Sequence, residues 1–248
     1  MSFLEQLNPE QREAVLHRDG PLLILAGAGS GKTRVICYRL AYLIGDGHAE
    51  PDQVLAVTFT NKAAEEMRTR VEQLLESESP RLWISTFHAF CARVLRREAP
   101  LIGLSRDFVI YDSVDQLSAV RQAMRDLNVD DKITPPRSLL SRISHAKNRM
   151  ESAADIRQNS HGFGDDQLAD VYELYLKTLR TSGALDFDDL LLKAVTLFDT
   201  STNARERYSN RFRYVMIDEY QDTNRPQYML IRLLTDQRRN LCVVGDPD

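Results

Sequence analysis

The sequence contains little cysteine, and its arrangement suits neither a disulfide framework nor a metal site. The 248 residues include three cysteines, Cys37, Cys91 and Cys242, and no two of them form a C-x-x-C pair. Small secreted scaffolds depend on closely spaced cysteine pairs, and zinc sites on short cysteine or histidine spacings. The pattern therefore indicates reduced, partly buried thiols, as in a cytoplasmic protein.

Long hydrophobic runs and a strong net charge are also missing. No apolar run approaches the roughly 18 residues that cross a bilayer, and the first stretch, MSFLEQLNPEQREAV, is too charged for a signal peptide. We therefore predict a protein without a membrane partner. The formal net charge of −4 gives no overall attraction to nucleic acid, so such binding requires a local basic patch.

Glycine is concentrated in the stretch LLILAGAGSGKTRV, where an apolar run is followed by a loop and then by a helical pattern. Glycine lets the main chain approach a ligand, and successive N–H groups at a helix start form an anion-binding concavity. Lys32 supplies a cation for the outer phosphates, and Thr33 supplies a hydroxyl suited to Mg²⁺. The stretch predicts a phosphate-binding loop of a nucleoside triphosphatase. The candidate nucleotide-binding residues of this loop are Ala26, Gly27, Ala28, Gly29, Ser30, Gly31, Lys32 and Thr33.

The loop departs from the pattern G-x-x-x-x-G-K-[ST] at its first position, which is Ala26 rather than glycine. The alternative interpretation is a glycine-rich strand-to-helix turn with an unrelated lysine. The apolar strand before the loop and the amphipathic helix after it favour phosphate binding.

Five short apolar runs are typical of buried parallel strands. They are LLILA from Leu22, VLAVTF from Val54, LWIS from Leu82, YVMID from Tyr214 and LCVVGD from Leu241. The first three alternate with helical patterns, which predicts an α/β fold with a parallel sheet and helices on both faces. From Phe87 to about Phe212 the pattern is nearly all helical. We therefore predict an NTPase domain at residues 1–104 and 191–248, interrupted by an inserted all-helical subdomain at residues 105–190.

The fourth apolar run ends in two adjacent carboxylates, Asp218 and Glu219. A parallel strand delivers such groups to the carboxyl edge of the sheet, where the glycine loop also opens. Asp218 is suited to hold Mg²⁺, and Glu219 to orient or deprotonate an attacking water. The alternative is that both acids cap the helix that follows. No arginine is marked by a motif as the finger that often completes such a site.

Seven ordered motifs give the chain a family resemblance. They are LNPEQREAV, AGAGSGKTRV, VTFTNKAAEEM, STFHAF, LDFDDLL, IDEYQDTN and VVGDPD. Together they resemble the N-terminal motor region of a UvrD/Rep/PcrA-type superfamily 1 DNA helicase, a family that usually has alanine at the place of Ala26. The resemblance implies RecA-like domains with helical insertions, and 3′→5′ translocation on single-stranded DNA driven by ATP and Mg²⁺.

The resemblance also implies roles for individual residues. Gln11 would read the adenine edge, Arg34 would lie beside the base, and Gln221 would sense the γ-phosphate. The family's final motif here continues as GDxDQS, whereas this sequence ends at GDPD. We therefore expect a fragment or natural truncation that lacks the second RecA-like domain, binds ATP and single-stranded DNA, and hydrolyses poorly.

The expected partners follow from the same resemblance. They are single-stranded DNA and single-strand/duplex junctions, the remaining helicase domains, and proteins of repair or replication. Two other classes stay open from the residues alone, namely a nucleotide-binding regulatory module and a small-molecule kinase. Asp218 and Glu219 argue against a passive module, and a kinase leaves the aromatic and basic motifs unexplained.

Two strand ends carry candidate DNA-binding residues, which are Phe59, Thr60, Asn61 and Lys62 at the first and Thr86, Phe87 and His88 at the second. An exposed aromatic ring can stack on a base, and hydroxyl and amide groups at a helix start suit phosphate oxygens. The alternatives are a core phenylalanine followed by Asn61 as N-cap, and a core histidine at position 88.

The predicted insertion contains a stretch without acidic residues from Lys132 to Met150. Helical spacing brings Arg142, His145 and Arg149 to one face, which suits a phosphate backbone. A solvated face is the alternative. The three aspartates of LDFDDLL precede an apolar helix, where they favour its positive end more readily than a metal site.

Overall fold

The computed structural model describes residues 2–27, 29–77, 81–160 and 162–246. Ala28 of the glycine loop and the final Pro-Asp of VVGDPD lie outside the described residues. The strands are β1 (Leu22–Leu25), β2 (Val54–Thr58), β3 (Trp83–Thr86), β4 (Val109–Ile110), β5 (Ala184–Leu185), β6 (Tyr214–Ile217) and β7 (Leu241–Gly245). The helices are α1 (Pro9–Leu16), α2 (Lys32–Gly45), α3 (Asn61–Leu75), α4 (Phe87–Glu98), α5 (Ser113–Asp126), α6 (Pro136–Asn148), α7 (Ala153–Gln158), α8 (Phe163–Thr181), α9 (Phe187–Thr200), α10 (Thr202–Arg211) and α11 (Arg225–Thr235).

The chain divides into two compact units. The first contains the chain up to Phe90, Ser201–Thr223 and the residues from Ile231 onward. The second contains Cys91–Thr200 and Asn224–Leu230. Among the described residues, no helix is long and apolar enough to cross a membrane.

The first unit is built on a parallel sheet, and the five predicted strands form it in the order β1-β7-β6-β2-β3. The predicted α/β class is therefore confirmed. One strand differs from the expectation of full burial, namely β1, which is one of the two edge strands of the described sheet. Its Leu23 and Leu25 are 59% and 58% exposed, whereas every residue of β2 and β6 is buried.

Helices cover both faces of this sheet. On one face α1, α2 and α3 pack on alternate strand residues, and α2 contributes Ile36, Leu40 and Leu43 at helical spacing. The opposite face carries an aromatic cluster in which the Trp83 ring lies 5.9 Å from Phe90 and 5.2 Å from Phe212. Successive strand residues point to opposite faces, so a strand that is apolar throughout requires both coverings.

The second unit is mainly helical, with a core formed by α5, α6, α8 and neighbouring segments. The expectation of an all-helical insertion requires one correction. Val109–Ile110 pairs in parallel with Ala184–Leu185, so β4 and β5 form a short two-stranded ladder inside this unit.

The LDFDDLL segment forms a buried charged cluster in the second unit. Lys147 is 1% exposed, and its Nζ donates to Asp186 at 2.6 Å and to Asp189 at 2.8 Å. The Tyr175 hydroxyl donates to the same Asp186 at 2.7 Å. Asp186 and Asp189 also accept each other's backbone N–H at the start of α9, as capping predicts. Lys147 thus belongs to the acid-free stretch from Lys132 to Met150 in sequence, but the fold buries it between two carboxylates.

All three cysteines are free and buried. Burial raises the pKa of the Cys242 thiol to about 11, so it stays protonated at neutral pH. Such thiols are packing groups, in line with the prediction of reduced cysteines.

Candidate active site

The site lies at the carboxyl edge of the first unit's sheet, where three neighbouring strands end. The loop from Ala26 follows β1, Asp218 follows β6 and Asp246 follows β7. The ladder continues into this region, because the Ala26 N–H donates to the Gly245 carbonyl at 3.2 Å and the Asp218 N–H to the Val57 carbonyl at 3.1 Å. Adjacent parallel strands therefore bring the glycine loop and the acidic pair together.

Two of the loop's glycines adopt backbone conformations that other residues avoid. Gly29 has a φ of 77° and Gly31 a φ of 88°. Gly31 is also crowded, because a Cβ there would lie 3.1 Å from Nε2 of Gln11. The Ser30 N–H closes the loop by donating to the Gly27 carbonyl at 3.3 Å. The loop thus turns tightly into α2, whose first residues are Lys32 and Thr33.

Gln11 is fixed against this loop by α1. Its backbone N–H donates to Oδ1 of Asn8 at 2.8 Å, and its Oε1 accepts the Asn8 N–H at 3.3 Å. Its Nε2 donates to the Ser30 carbonyl at 3.1 Å. The capping box of α1 therefore holds the side-chain amide beside the glycine loop.

Lys32 has two oxygen partners. Its Nζ donates to the Ala26 carbonyl at 2.6 Å and to Oδ2 of Asp246 at 2.8 Å. The lysine side chain is 15% exposed and the aspartate 28%. Sequence reasoning placed no role on Asp246, although VVGDPD puts it at the end of an apolar run, as IDEYQDTN does for Asp218.

Thr33 and Asp218 meet directly. The threonine hydroxyl donates to Oδ2 of Asp218 at 3.1 Å. Asp218 is 5% exposed, and burial raises the pKa of its carboxyl, while the bonds from Thr33 and from the Glu219 N–H act in the opposite direction. A hydroxyl and a carboxylate in contact are the oxygen donors that Mg²⁺ accepts.

Glu219 leaves the strand in a left-handed conformation, with φ 52° and ψ 44°. Positive φ is uncommon for a residue with a side chain, and such residues concentrate at functional sites. Partial burial and the charges of Asp218 and Asp222 raise the pKa of the Glu219 carboxyl, while Lys32 lowers it. A raised pKa moves a carboxylate toward the range useful in proton transfer.

Gln221 connects two strand ends. Its Oε1 accepts the Asp246 N–H at 3.1 Å, and its Nε2 donates to Asp222 at 3.2 Å. A Cβ on Gly245 would lie 3.0 Å from the same Oε1, so the glycine permits this approach. Arg34 donates to the Gln6 carbonyl at 2.8 Å, and its guanidinium lies 5.1 Å from the Tyr38 ring centroid.

Of the candidate DNA-binding residues after β2, one is partly buried and the others are exposed to solvent. Phe59 is partly buried, and its ring centroid lies 5.6 Å from that of Phe87. Asn61 and Lys62 are exposed at the start of α3. The N-cap of this helix is Thr60, whose hydroxyl accepts the Ala63 N–H, so the alternative that made Asn61 the cap is wrong by one residue.

The candidates after β3 are more enclosed. Phe87 is 2% exposed and Thr86 is 7% exposed, so both support the surface formed by their neighbours. The Thr86 hydroxyl accepts the Ala89 N–H at 3.3 Å and thereby caps the first turn of α4. His88 is half-buried.

In the second unit Arg142, His145 and Arg149 line one cavity of about 370 Å³. Arg142 pairs with Asp165 at 2.8 Å, and Arg149 pairs with Glu151 at 2.5 Å. The acid-free sequence window did not reveal these partners, since both lie outside it. Acidic groups from neighbouring segments thus neutralise much of the predicted basic stripe.

The possible ligands at the first unit's sheet edge suit a nucleotide-bound cation better than a resident metal. Across the described residues, no group of three or more histidine, cysteine, aspartate or glutamate side chains could hold a metal ion. Mg²⁺ in nucleotide sites keeps waters and phosphate oxygens, and takes only one or two ligands from the protein. Thr33 and Asp218 fit that requirement.

Comparison with known proteins agrees with the motifs. The family described as the UvrD/REP helicase N-terminal domain matches residues 7–248. An ATP-dependent DNA helicase PcrA of Bacillus subtilis (strain 168) is 49% identical over 246 residues, which cover 99% of this chain and 33% of that protein. PcrA helicases of Staphylococcus epidermidis and Staphylococcus aureus are 45% identical over 247 residues, covering 100% of this chain and 34% of theirs. The chain thus spans about a third of the length of these relatives, and it belongs to the UvrD/REP helicase family.

Proposed function

We propose that this chain is the ATP-binding part of an ATP-dependent DNA helicase that moves 3′→5′ on single-stranded DNA. The observation that carries the proposal is the 3.1 Å contact between Thr33 and Asp218, with the Lys32 amine at the same sheet edge. Family membership supports the same function, since the curated relatives are named ATP-dependent DNA helicases. The proposed ligands are ATP and Mg²⁺.

In this proposal the glycine loop and Lys32 hold the phosphates. Lys32 leaves Asp246 for a phosphate oxygen, and Thr33 and Asp218 hold Mg²⁺, which neutralises charge on the phosphates. Glu219 orients or deprotonates the attacking water. Gln221 senses the γ-phosphate from its position beside Asp246. Gln11 and Arg34 contact the base.

The proposed domain arrangement places the RecA-like ATP-binding domain at residues 1–104 and 191–248, and the helical insertion at residues 105–190. Phosphoryl transfer depends on charge neutralisation, and the proposal assigns the arginine finger to the remaining helicase domains. The chain by itself is then expected to bind ATP but to hydrolyse it slowly. Free, buried cysteines suit a cytoplasmic location.

We propose that single-stranded DNA contacts the surface formed by Phe59, Thr60, Asn61, Lys62 and His88. The buried side chains of Thr86 and Phe87 pack beneath this surface and hold it in place. Arg142 and Arg149 are the proposed contacts in the second unit, after they exchange their carboxylate partners for phosphates. The full protein would act at single-strand/duplex junctions, together with proteins of repair or replication.

A pair of lysine variants tests the proposal. Lys32→Ala should weaken Mg·ATP binding at least about tenfold, because a hydrogen bond to a charged group contributes about 1.5–3 kcal/mol. Lys62→Ala makes the same change on an exposed helix start, and should leave ATP affinity unchanged. It should instead weaken binding of a labelled oligothymidine and lower the salt slope by about 0.7. Calorimetry and fluorescence anisotropy measure the two affinities. Wild-type ATP affinity in Lys32→Ala would refute the nucleotide assignment.

A further inference from the structure

The second unit contains a groove between α5 and α6, with a volume of about 760 Å³. We call it the α5–α6 groove and define it by six lining residues. They are Val114, Leu117 and Arg121 on α5, and Arg137, Leu140 and Ser141 on α6. The three residues of α5 are three, four or seven positions apart and lie on one face, and Arg137 of α6 is three and four positions from Leu140 and Ser141. Neither the sheet-edge site nor the cavity at Arg142 includes any of them.

The groove carries positive charge that the fold leaves unpaired. Arg121 and Arg137 are both exposed, and neither has a hydrogen-bond or ion-pair partner among the described residues. Among the described residues, no aspartate or glutamate lines the groove. This differs from the neighbouring cavity, where Arg142 and Arg149 are each paired with a carboxylate. An incoming anion at the groove therefore has no internal acid to displace.

Two aspartates near the ends of the groove accept hydrogen bonds from neighbouring groups. Asp112 caps the start of α5 by accepting the N–H groups of Val114 and Asp115. At the other end, Asp188 accepts from Asn148 at 3.1 Å. Arg121 and Arg137 are the arginines that line the groove itself.

Beside the arginines, the groove has an accessible apolar wall formed by Val114, Leu117 and Leu140. Val114 is 72% exposed, and Leu117 and Leu140 are half-buried. Apolar surface beside unpaired arginines suits a ligand that offers unpaired bases and phosphates together. Arginine contributes twice to such a ligand, since its guanidinium binds phosphate and also stacks on bases. A duplex presents phosphates but keeps its bases stacked inside, so it would leave this wall uncovered.

We infer that the α5–α6 groove binds a segment of single-stranded DNA, with phosphates at Arg121 and Arg137 and bases against Val114, Leu117 and Leu140. The inference rests on the proposed DNA-binding function and adds a location that the family motifs do not mark. The surface face of α6 from Arg137 to Asn148 extends about 16 Å along the helix axis. That length accommodates a short run of nucleotides.

The test uses the whole 248-residue chain and a fluorescein-labelled oligothymidine. The double variant R121A/R137A should bind it on the order of tenfold more weakly, and the slope of log affinity against log salt should fall by about 1.4, as expected for two lost phosphate contacts on a single strand. Arg180→Ala is the matched control, because Arg180 is an exposed arginine of the same unit outside the groove. It should keep wild-type affinity and slope. Mg·ATP affinity should be unchanged in both variants.

The other outcomes separate the inference from the function on which it rests. If the wild-type chain binds the oligomer and R121A/R137A binds it equally well, the groove assignment is wrong and DNA binding stands. If the wild-type chain binds no oligomer, the DNA-binding proposal fails and the groove assignment fails with it. An equal loss of oligothymidine affinity in Arg180→Ala would show that the effect comes from net charge and not from the groove, and it would contradict the inference. A duplex, or an acidic peptide, that binds more tightly than the oligothymidine and depends on both arginines would overturn the single-strand assignment.

Discussion

At the scale of single residues, the site depends on backbone conformations that a sequence pattern indicates only in part. The loop has three glycines within the described residues, but they are not equivalent. Gly29 and Gly31 have left-handed φ values, whereas the φ of Gly27 lies outside the left-handed range and a side chain there would meet nothing within 4 Å. Gly31 alone of the three combines positive φ with a close neighbour, Gln11. We therefore expect replacement of Gly31 to lower both the stability of the first unit and its affinity for ATP.

Gly31→Ala should destabilise the first unit by about 1–2 kcal/mol, the cost of a left-handed residue with a Cβ. It should also weaken Mg·ATP binding on the order of tenfold, about 1.4 kcal/mol, because the Cβ displaces Gln11 and the loop. Urea unfolding followed by the fluorescence of Trp83, which lies in this unit, measures the first effect. An ATP titration measures the second.

Gly20→Ala is the control for this change. Gly20 has a φ of 90°, but a Cβ there would meet nothing within 4 Å. It should lose similar stability and keep its ATP affinity. Equal ATP affinity in the two variants would show that the contact with Gln11 has no role in binding.

The sequence predicted the contact between side chains that follow strand ends. Thr33 and Asp218 are 185 residues apart, and the rule that parallel strands end at one edge was enough to bring them together. Asp246 obeys the same rule and was overlooked. The carboxylate partners of Arg142 and Arg149 were missed for another reason, since they come from segments that only the tertiary fold brings near.

At the scale of helices and strands, the buried cluster of Lys147, Asp186 and Asp189 joins α6 to the start of α9. Asp189 and Asp186 raise the pKa of Lys147 against the effect of burial, so the lysine stays charged. Burial is the largest influence on Asp189 and raises its pKa, while Lys147 opposes this. The ion pairs of Lys147 with the two aspartates therefore stabilise the cluster. Removal of one partner leaves a buried charge without an opposite charge beside it.

Lys147→Met should destabilise the second unit by about 3–5 kcal/mol at neutral pH, the usual cost of breaking a buried ion pair. Without the lysine charge, the pKa of Asp189 rises further above its unfolded value. A folded pKa above the unfolded one gives stability that is lost as pH rises. The penalty should accordingly be smaller at mildly acidic pH than at neutral pH.

Chemical denaturation followed by far-UV circular dichroism at several pH values measures this penalty. Lys177→Met removes the same charge from an exposed position on α8 and should change stability by less than about 0.5 kcal/mol at every pH. A penalty for Lys147→Met that did not vary with pH would contradict the proposed role of Asp189.

Sequence periodicity identified every strand of the described main sheet, but it did not reveal that β1 is an edge strand with exposed side chains. β1 is as apolar as β2, yet half of its side chains are exposed. A strand's neighbours are determined by topology, and an apolar run contains no signal about them. The short β4–β5 ladder was missed because two residues are too few to show an alternating pattern.

At the scale of the whole molecule, the chain spans about a third of the length of its curated relatives. ATP turnover is therefore best tested in the longest gene product that contains this sequence. There Glu219→Gln should lower kcat for ATP by about 10²–10⁴, the usual contribution of a general base. Its affinity for Mg·ATP should change little. Because the Glu219 pKa is raised, the acid limb of the wild-type profile should lie above the pH at which an ordinary glutamate titrates.

Phosphate release and equilibrium nucleotide binding measure these two quantities separately. Glu206→Gln makes the same change at an exposed position of the first unit and should have no effect. Unchanged turnover in Glu219→Gln would favour a passive nucleotide-binding module over a motor.

The strand order has a consequence for how the protein is made. β1 pairs with β7, so the strand from Leu22 to Leu25 leaves the ribosome long before its partner at Leu241–Gly245 exists. At roughly 5–20 residues per second, the delay is roughly 10–45 s. The continuous segment Cys91–Thr200 is completed within that interval. During that part of translation, nascent β1 therefore lacks β7, the strand with which it pairs in the folded sheet.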